Sequence, residues 1–155
     1  TLVGAGLVEK ERTRKPLSDL IPKGINWIKS SVTKVDGSSK VVELKNGESI
    51  RYEVLVIATG LKLDFHKIKG VDNNLGQNGL CSIYDYEGAE KTFQMLERFE
   101  GGTAIFTMPP VPIKCAGAPQ KIMYLADEIF RRNHVRDKST ISFMIAGKVI
   151  FGIPE

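Results

Sequence analysis

The chain has 155 residues, 42% of them hydrophobic, 26% charged and 8% aromatic, with a net charge of +4. That is ordinary globular composition, enough for one medium domain or two small ones, and its longest apolar runs fall far short of the ~20 residues that cross a bilayer. The basic residues are scattered, apart from Lys10, Arg12, Arg14, Lys15 and the pair Arg131 and Arg132, which argues against the concentrated basic face of a nucleic-acid module.

The apolar start, TLVGAGLV, has no basic region before it and no cleavage signal after it, so it does not read as a leader peptide. Both ends read as cut from something longer. Gly4-Ala5-Gly6 is a weak echo of a dinucleotide fingerprint: no strand precedes it, and Glu9 stands where a third glycine belongs. It is rejected as a phosphate loop. Lys23 to Asp36 alternates well enough to predict a strand, with Ile25, Trp27, Val32 and Val35 favouring extended structure. Lys40 to Tyr52 predicts a hairpin whose Asn46-Gly47 turn suits two positive φ angles. Glu53 to Gly60, EVLVIATG, is an unbroken apolar run ending in small residues, the pattern of a strand buried on both faces.

From Gly70 to Cys81 the turn formers crowd into a loop and a crossover between domains. Asp85 to Glu100 predicts a helix, capped by Asp85 and stopped by Gly101-Gly102. Thr103 to Thr107 is a short buried strand. A proline loop follows, then a helix from about Ala118 to Asn133, where Ile122, Leu125, Ala126, Ile129 and Phe130 make one apolar stripe. Ser139 to Ala146 is the next strand, and a turn at Phe151-Gly152 follows. Strand–helix–strand at this spacing implies a parallel, right-handed crossover. The chain is mixed α/β, in two incomplete lobes.

Two features carry chemistry. A buried strand ending in Ala58-Thr59-Gly60 lets a ligand come close to backbone, and the carboxyl ends of such strands are where nucleotides dock. A strand leaving through a tight turn is the equal alternative. Cys115 lies between a proline-stiffened loop (Pro109, Pro110, Pro112) and a helix start with Pro119 in the first turn. The partial positive charge of a helix N-terminus, with Lys114 and Lys121 nearby, favours the reactive thiolate; the plainer reading is a small buried packing residue. Cys81, in a glycine-rich loop, has no such support. Two cysteines do not make a disulfide framework, and with His66 and His134 they show no metal-site spacing.

"VLVIATG", then a helix and "TAIFTMPPVPIKCAGAPQKIMYLADEIF", resembles the sulfide:quinone oxidoreductases, most closely the eukaryotic mitochondrial type. The resemblance covers essentially the whole chain; "PIKCAGAPQKIMYL" is highly specific, while "VLVIATG" is shared by the wider superfamily of two-dinucleotide-domain flavoproteins. It implies part of a glutathione-reductase-like FAD/NAD(P)-binding fold. Residues 1–70 would be the β-rich end of the first Rossmann-like domain, and residues 71–155 the start of the second. It further implies FAD held near Val32 and at Ala58, Thr59 and Gly60, and a sulfur-carrying cysteine at Cys115, paired with a second cysteine farther along. The implied substrates are hydrogen sulfide and ubiquinone, with a small thiol or sulfite as sulfur acceptor. The implied location is the matrix side of the mitochondrial inner membrane, or a bacterial plasma membrane, with peripheral attachment through regions outside this chain. Bacterial relatives carry another cysteine near Cys81, but Tyr84 stands nearer the equivalent place. Since the glycine turn that holds a dinucleotide pyrophosphate is not in these residues, the segment alone is expected to bind FAD weakly at best. An NAD(P)H:quinone reductase with a structural Cys115, or an inactive interaction module, are the rival readings.

Overall fold

The computed structural model describes residues 1–110, 113–147 and 150; the turn expected at Phe151-Gly152 lies outside them. Backbone contacts divide the chain into two compact units, one of Lys15–Gly60 and one of Thr1–Arg14 with Leu61–Glu155.

The smaller unit is an antiparallel meander of β1 (Val32–Asp36), β2 (Val41–Leu44) and β3 (Ser49–Arg51). Asp36 opens the first turn by accepting from the amides of Ser38 (2.9 Å) and Ser39 (3.0 Å). These bonds, Ser39 first, hold its carboxyl below the usual aspartate range, as expected where amides stabilise the charged form. The hairpin expected over 40–52 is present, but its turn is built differently. Leu44 and Glu48 close a three-residue loop; the Gly47 amide donates to Leu44 O at 3.0 Å, and only Gly47 takes a positive φ, +88°. This is a type I turn with a glycine bulge, which needs one left-handed residue rather than two.

Two expected strands fall short. Of 23–36 only Val32–Asp36 pairs, with an irregularity between Val32 and Lys34; Gly24 at φ +86° breaks the extended run, and Ile25 and Trp27 are exposed. Residues 53–60 form no strand, and Val54 (83% exposed), Val56 (81%) and Ile57 (70%) face solvent. A doubly buried strand needs a paired neighbour on each edge and a layer on each face. No described strand pairs with this run.

The larger unit supplies the apolar core. Helix α1 (Tyr86–Glu97) begins where the Asp85 side chain accepts from the Gly88 amide at 2.5 Å, the N-cap bond that satisfies an orphan donor. A Cβ on Gly88 would stand 2.4 Å from Ser82 O, so this first turn admits only glycine. The helix ends three residues before the expected Glu100, with Gly101 and Gly102 at positive φ beyond it. Strand β4 (Gly102–Met108), helix α2 (Gly117–Arg132) and strand β5 (Ser139–Ile145) follow, and β4 pairs with β5 in parallel from Gly102–Ser139 to Met108–Ile145. The expected strand–helix–strand unit is therefore present, although β4 is half bare, with Ile105 exposed.

Ile122, Ala126, Ile129 and Phe130 of α2 pack with Ala5 and Leu96 into one core, which Ala104, Phe106 and Ile141 of the sheet adjoin. Phe130 is fully buried and stacks on Phe99 with ring centroids 4.4 Å apart. The return from α2 to β5 is tied down by Asp127, which accepts from Arg131 Nε at 2.7 Å and from Arg136 Nε.

Gly4-Ala5-Gly6 has a packing role. The segment forms a single 3-10 turn, Val3–Ala5, against both helices. A Cβ on Gly4 would lie 2.8 Å from Ile83 Cγ2, and one on Gly6 2.3 Å from the Phe93 ring. Part of the basic cluster is likewise structural: Lys10 Nζ reaches Glu90 (2.6 Å) and Glu87 (3.0 Å) on α1, and Arg14 lies over the Tyr86 ring. Overpacking at Gly4 predicts that Gly4→Ala costs about 1–3 kcal/mol. Gly37→Ala, where a Cβ meets nothing within 4 Å, should be close to neutral. Chemical denaturation of the two variants checks this; equal stabilities would contradict the close packing at Gly4.

Candidate functional site

Cys115 is exposed and stands two residues ahead of α2. The apolar stripe of that helix fixes its axis in the core, so its N-terminus is a rigid platform. Pro119, buried in the first turn, has no amide hydrogen to leave unpaired. The Ala118 amide donates to Cys115 O at 3.2 Å. The N-cap residue Ala116 offers no side-chain cap. The partial positive charge of the helix is thus presented at Ala116 and Gly117, next to the cysteine. Lys114 and Lys121 are both exposed and add positive charge to the same end. Gln120, buried in the same turn, places Nε2 3.4 Å from Tyr124 Oη, while its Oε1 has no partner among the described residues.

A contact invisible to the sequence patterns joins this loop to the start of α1. The Tyr84 hydroxyl donates to Cys115 O at 3.0 Å. Tyr84 titrates above its ordinary range, first because burial disfavours the phenolate and then because of charge at Cys115. Cys81 is different in kind. It is half-buried, and burial pushes its thiol up despite a hydrogen bond with Thr92. That is the environment of an inert cysteine.

The candidate flavin contacts, Val32, Ala58, Thr59 and Gly60, all belong to the Lys15–Gly60 unit, whereas Cys115 belongs to the other. Val32 opens β1 with its side chain exposed. Next to it a shallow depression is lined by Lys29, Ser30, Ser31, Lys45 and Asn46, a polar, basic surface that sequence reading missed because its two sides come from separate segments. Ala58, Thr59 and Gly60 are exposed. Gly60 has φ +75°, with nothing within 4 Å of the position a Cβ would take. Bare backbone with small side chains fits the close approach of a flat cofactor.

These environments predict that iodoacetamide modifies Cys115 ahead of Cys81 in the folded protein. Because its thiol is pushed up, Cys81 should label appreciably only above the usual thiol range. Site-resolved mass spectrometry across pH checks the order; equal rates, or a faster Cys81, would overturn it.

No protein-family model matches the chain. It is 42% identical to the mitochondrial sulfide:quinone oxidoreductase of Dictyostelium discoideum, over all of this chain and 34% of that protein. It is 40% identical to the Mus musculus counterpart, again over all of this chain and 34% of the relative. Identity to the Schizosaccharomyces pombe counterpart is 34%, over 99% of this chain and 34% of that one. The chain thus spans about a third of the length of these curated relatives. Among solved structures, the X-ray structure of the sulfide:quinone oxidoreductase from Aquifex aeolicus aligns with a TM-score of 0.68 at 27% identity, over 92% of this chain and 32% of that one. A chain in the cryo-EM structure of the Tetrahymena thermophila mitochondrial ATP synthase aligns with a TM-score of 0.66 at 18% identity, over 96% of this chain and 39% of that one. At that distance the likeness speaks for fold alone. On identities of 34–42% along essentially its whole length, the chain belongs to the sulfide:quinone oxidoreductase family.

Proposed function

We propose that this chain is the cysteine-bearing part of a mitochondrial flavoprotein that oxidises hydrogen sulfide and delivers two electrons to ubiquinone. The observation that carries the reading is the placement of Cys115, exposed at the N-terminus of a helix anchored in the core, within a segment 42% identical to a mitochondrial sulfide:quinone oxidoreductase. In the longer protein we assign residues 1–70 to the FAD-binding domain and residues 71–155 to the second, NAD(P)-like domain.

Cys115 is the residue that takes up sulfur. Sulfide attacks the sulfur–sulfur linkage between Cys115 and a second cysteine outside these residues. One S–S bond forms as another breaks, leaving the persulfide on Cys115 and a thiolate on the second cysteine. A small thiol or sulfite then removes the outer sulfur. Thiol–disulfide exchange depends on access to the reacting sulfur, and Cys115 is exposed at the N-terminus of α2. The backbone of Ala58, Thr59 and Gly60, with that near Val32, would hold FAD. When bound, FAD supplies the two-electron acceptor chemistry that a thiol site lacks, linking sulfide oxidation to quinone reduction. Among the described residues no helix is long and apolar enough to cross a membrane; peripheral association on the matrix side of the inner membrane is assigned to other regions of the protein.

In the full-length protein, Cys115→Ser is expected to abolish flavin bleaching by sulfide while flavin content stays at the wild-type level, since the assigned flavin contacts lie in the other unit. Anaerobic absorbance spectroscopy with added sulfide is the test. A variant that still bleaches would refute the role of Cys115.

A further inference from the structure

The Cys115 carbonyl is held from two directions. The Ala118 amide, 3.2 Å away, ties it to its own helix. The Tyr84 hydroxyl, 3.0 Å away, ties it to a segment 31 residues earlier. The neighbours of Tyr84 are themselves fixed: Ile83 packs against the core, Asp85 caps α1, and the Tyr84 amide lies 3.3 Å from Ser82 Oγ. The half-buried phenol is therefore a strut between the starts of α1 and α2. The bond to Ala118 alone would let the Cys115–Ala116 peptide rock with the first helical turn; the second donor fixes the tilt of that peptide plane, and with it the direction in which the side chain leaves the Cα.

We propose that Tyr84 is a positioning residue for Cys115, fixing the Cys115–Ala116 peptide so that the sulfur is presented to its reaction partner in one direction. The inference rests on the reading of Cys115 as the sulfur carrier. Sulfur exchange requires the attacking and leaving sulfurs to be close to collinear, and a displacement of about 1 Å in a reacting group can cost on the order of a hundredfold in rate. The donor is also durable. Burial, then charge at Cys115, keeps the phenol protonated, so the bond survives ionisation of the cysteine.

Tyr84→Phe removes the hydroxyl and keeps the ring. The test compares Y84F and C115S with wild type, as full-length protein loaded with FAD. Three quantities are read: flavin reduction by sulfide in stopped flow, the quinone KM in turnover, and Cys115 alkylation by iodoacetamide. For Y84F the inference predicts a saturating rate of flavin reduction roughly tenfold or more below wild type, with quinone KM and flavin content unchanged. Alkylation, which needs a thiolate but no particular direction, should stay within about twofold of wild type. A wild-type reduction rate would overturn the inference. So would alkylation falling in proportion to turnover, which would make Tyr84 a modulator of thiol acidity. Loss of flavin or of fold in Y84F would make Tyr84 structural and overturn it equally. The C115S arm separates the two claims: if C115S still reduces its flavin, the reading of Cys115 itself fails, whereas an inactive C115S beside a fully active Y84F removes only the role of Tyr84.

Discussion

The burial of one face of α2 is the constraint on which the rest depends. Ala126 and Phe130 are wholly covered, and Ile122 and Ile129 nearly so. A large aromatic side chain buried to this extent is worth about 3–5 kcal/mol against truncation. The same contacts fix the rotation of the helix about its axis, and so decide which way its first turn faces. Because α2 returns the chain from β4 to β5, its N-terminus comes at the carboxyl end of β4, where open α/β sheets present their chemistry. Cys115 is aimed by packing a full helix length away.

The two units solve different problems. The larger one builds an apolar core from elements of its own: two helices, one face of a parallel pair and a glycine turn narrow enough to slip against Ile83 and Phe93. The smaller one has a three-stranded meander and an apolar run, Val54 to Ile57, that pairs with none of its strands. Surface of that kind usually marks an interface.

What the sequence made legible was local. The helical spacing of Ile122, Ala126 and Ile129 named a helix because an amphipathic stripe of that length has few other uses. Asp85 named its own cap. The loop carrying Cys115 stood out because its prolines and glycine each have a backbone reason to be there and its cysteine stands just before a helix start. What was missed depends on partners that a local pattern does not name. Whether Glu53 to Gly60 is a buried strand is decided by its neighbours, so the pattern alone overstated it. Asn46-Gly47 implied a two-residue turn, but pairing of Leu44 with Glu48 left three residues to close it. The bond from Tyr84 to Cys115 crosses 31 residues, and nothing in a tyrosine's local context announces it. The close packing of Gly4 was likewise hidden, since a small residue says only that something comes near.

The central claim is that sulfur is carried on Cys115. The most direct measurement is site-resolved mass spectrometry of the full-length protein after brief exposure to sulfide, quenched by alkylation. The account predicts an added sulfur atom on the peptide containing Cys115 and none on the peptide containing Cys81. Added sulfur on Cys81, or an unmodified Cys115 in a protein that has reduced its flavin, would contradict it.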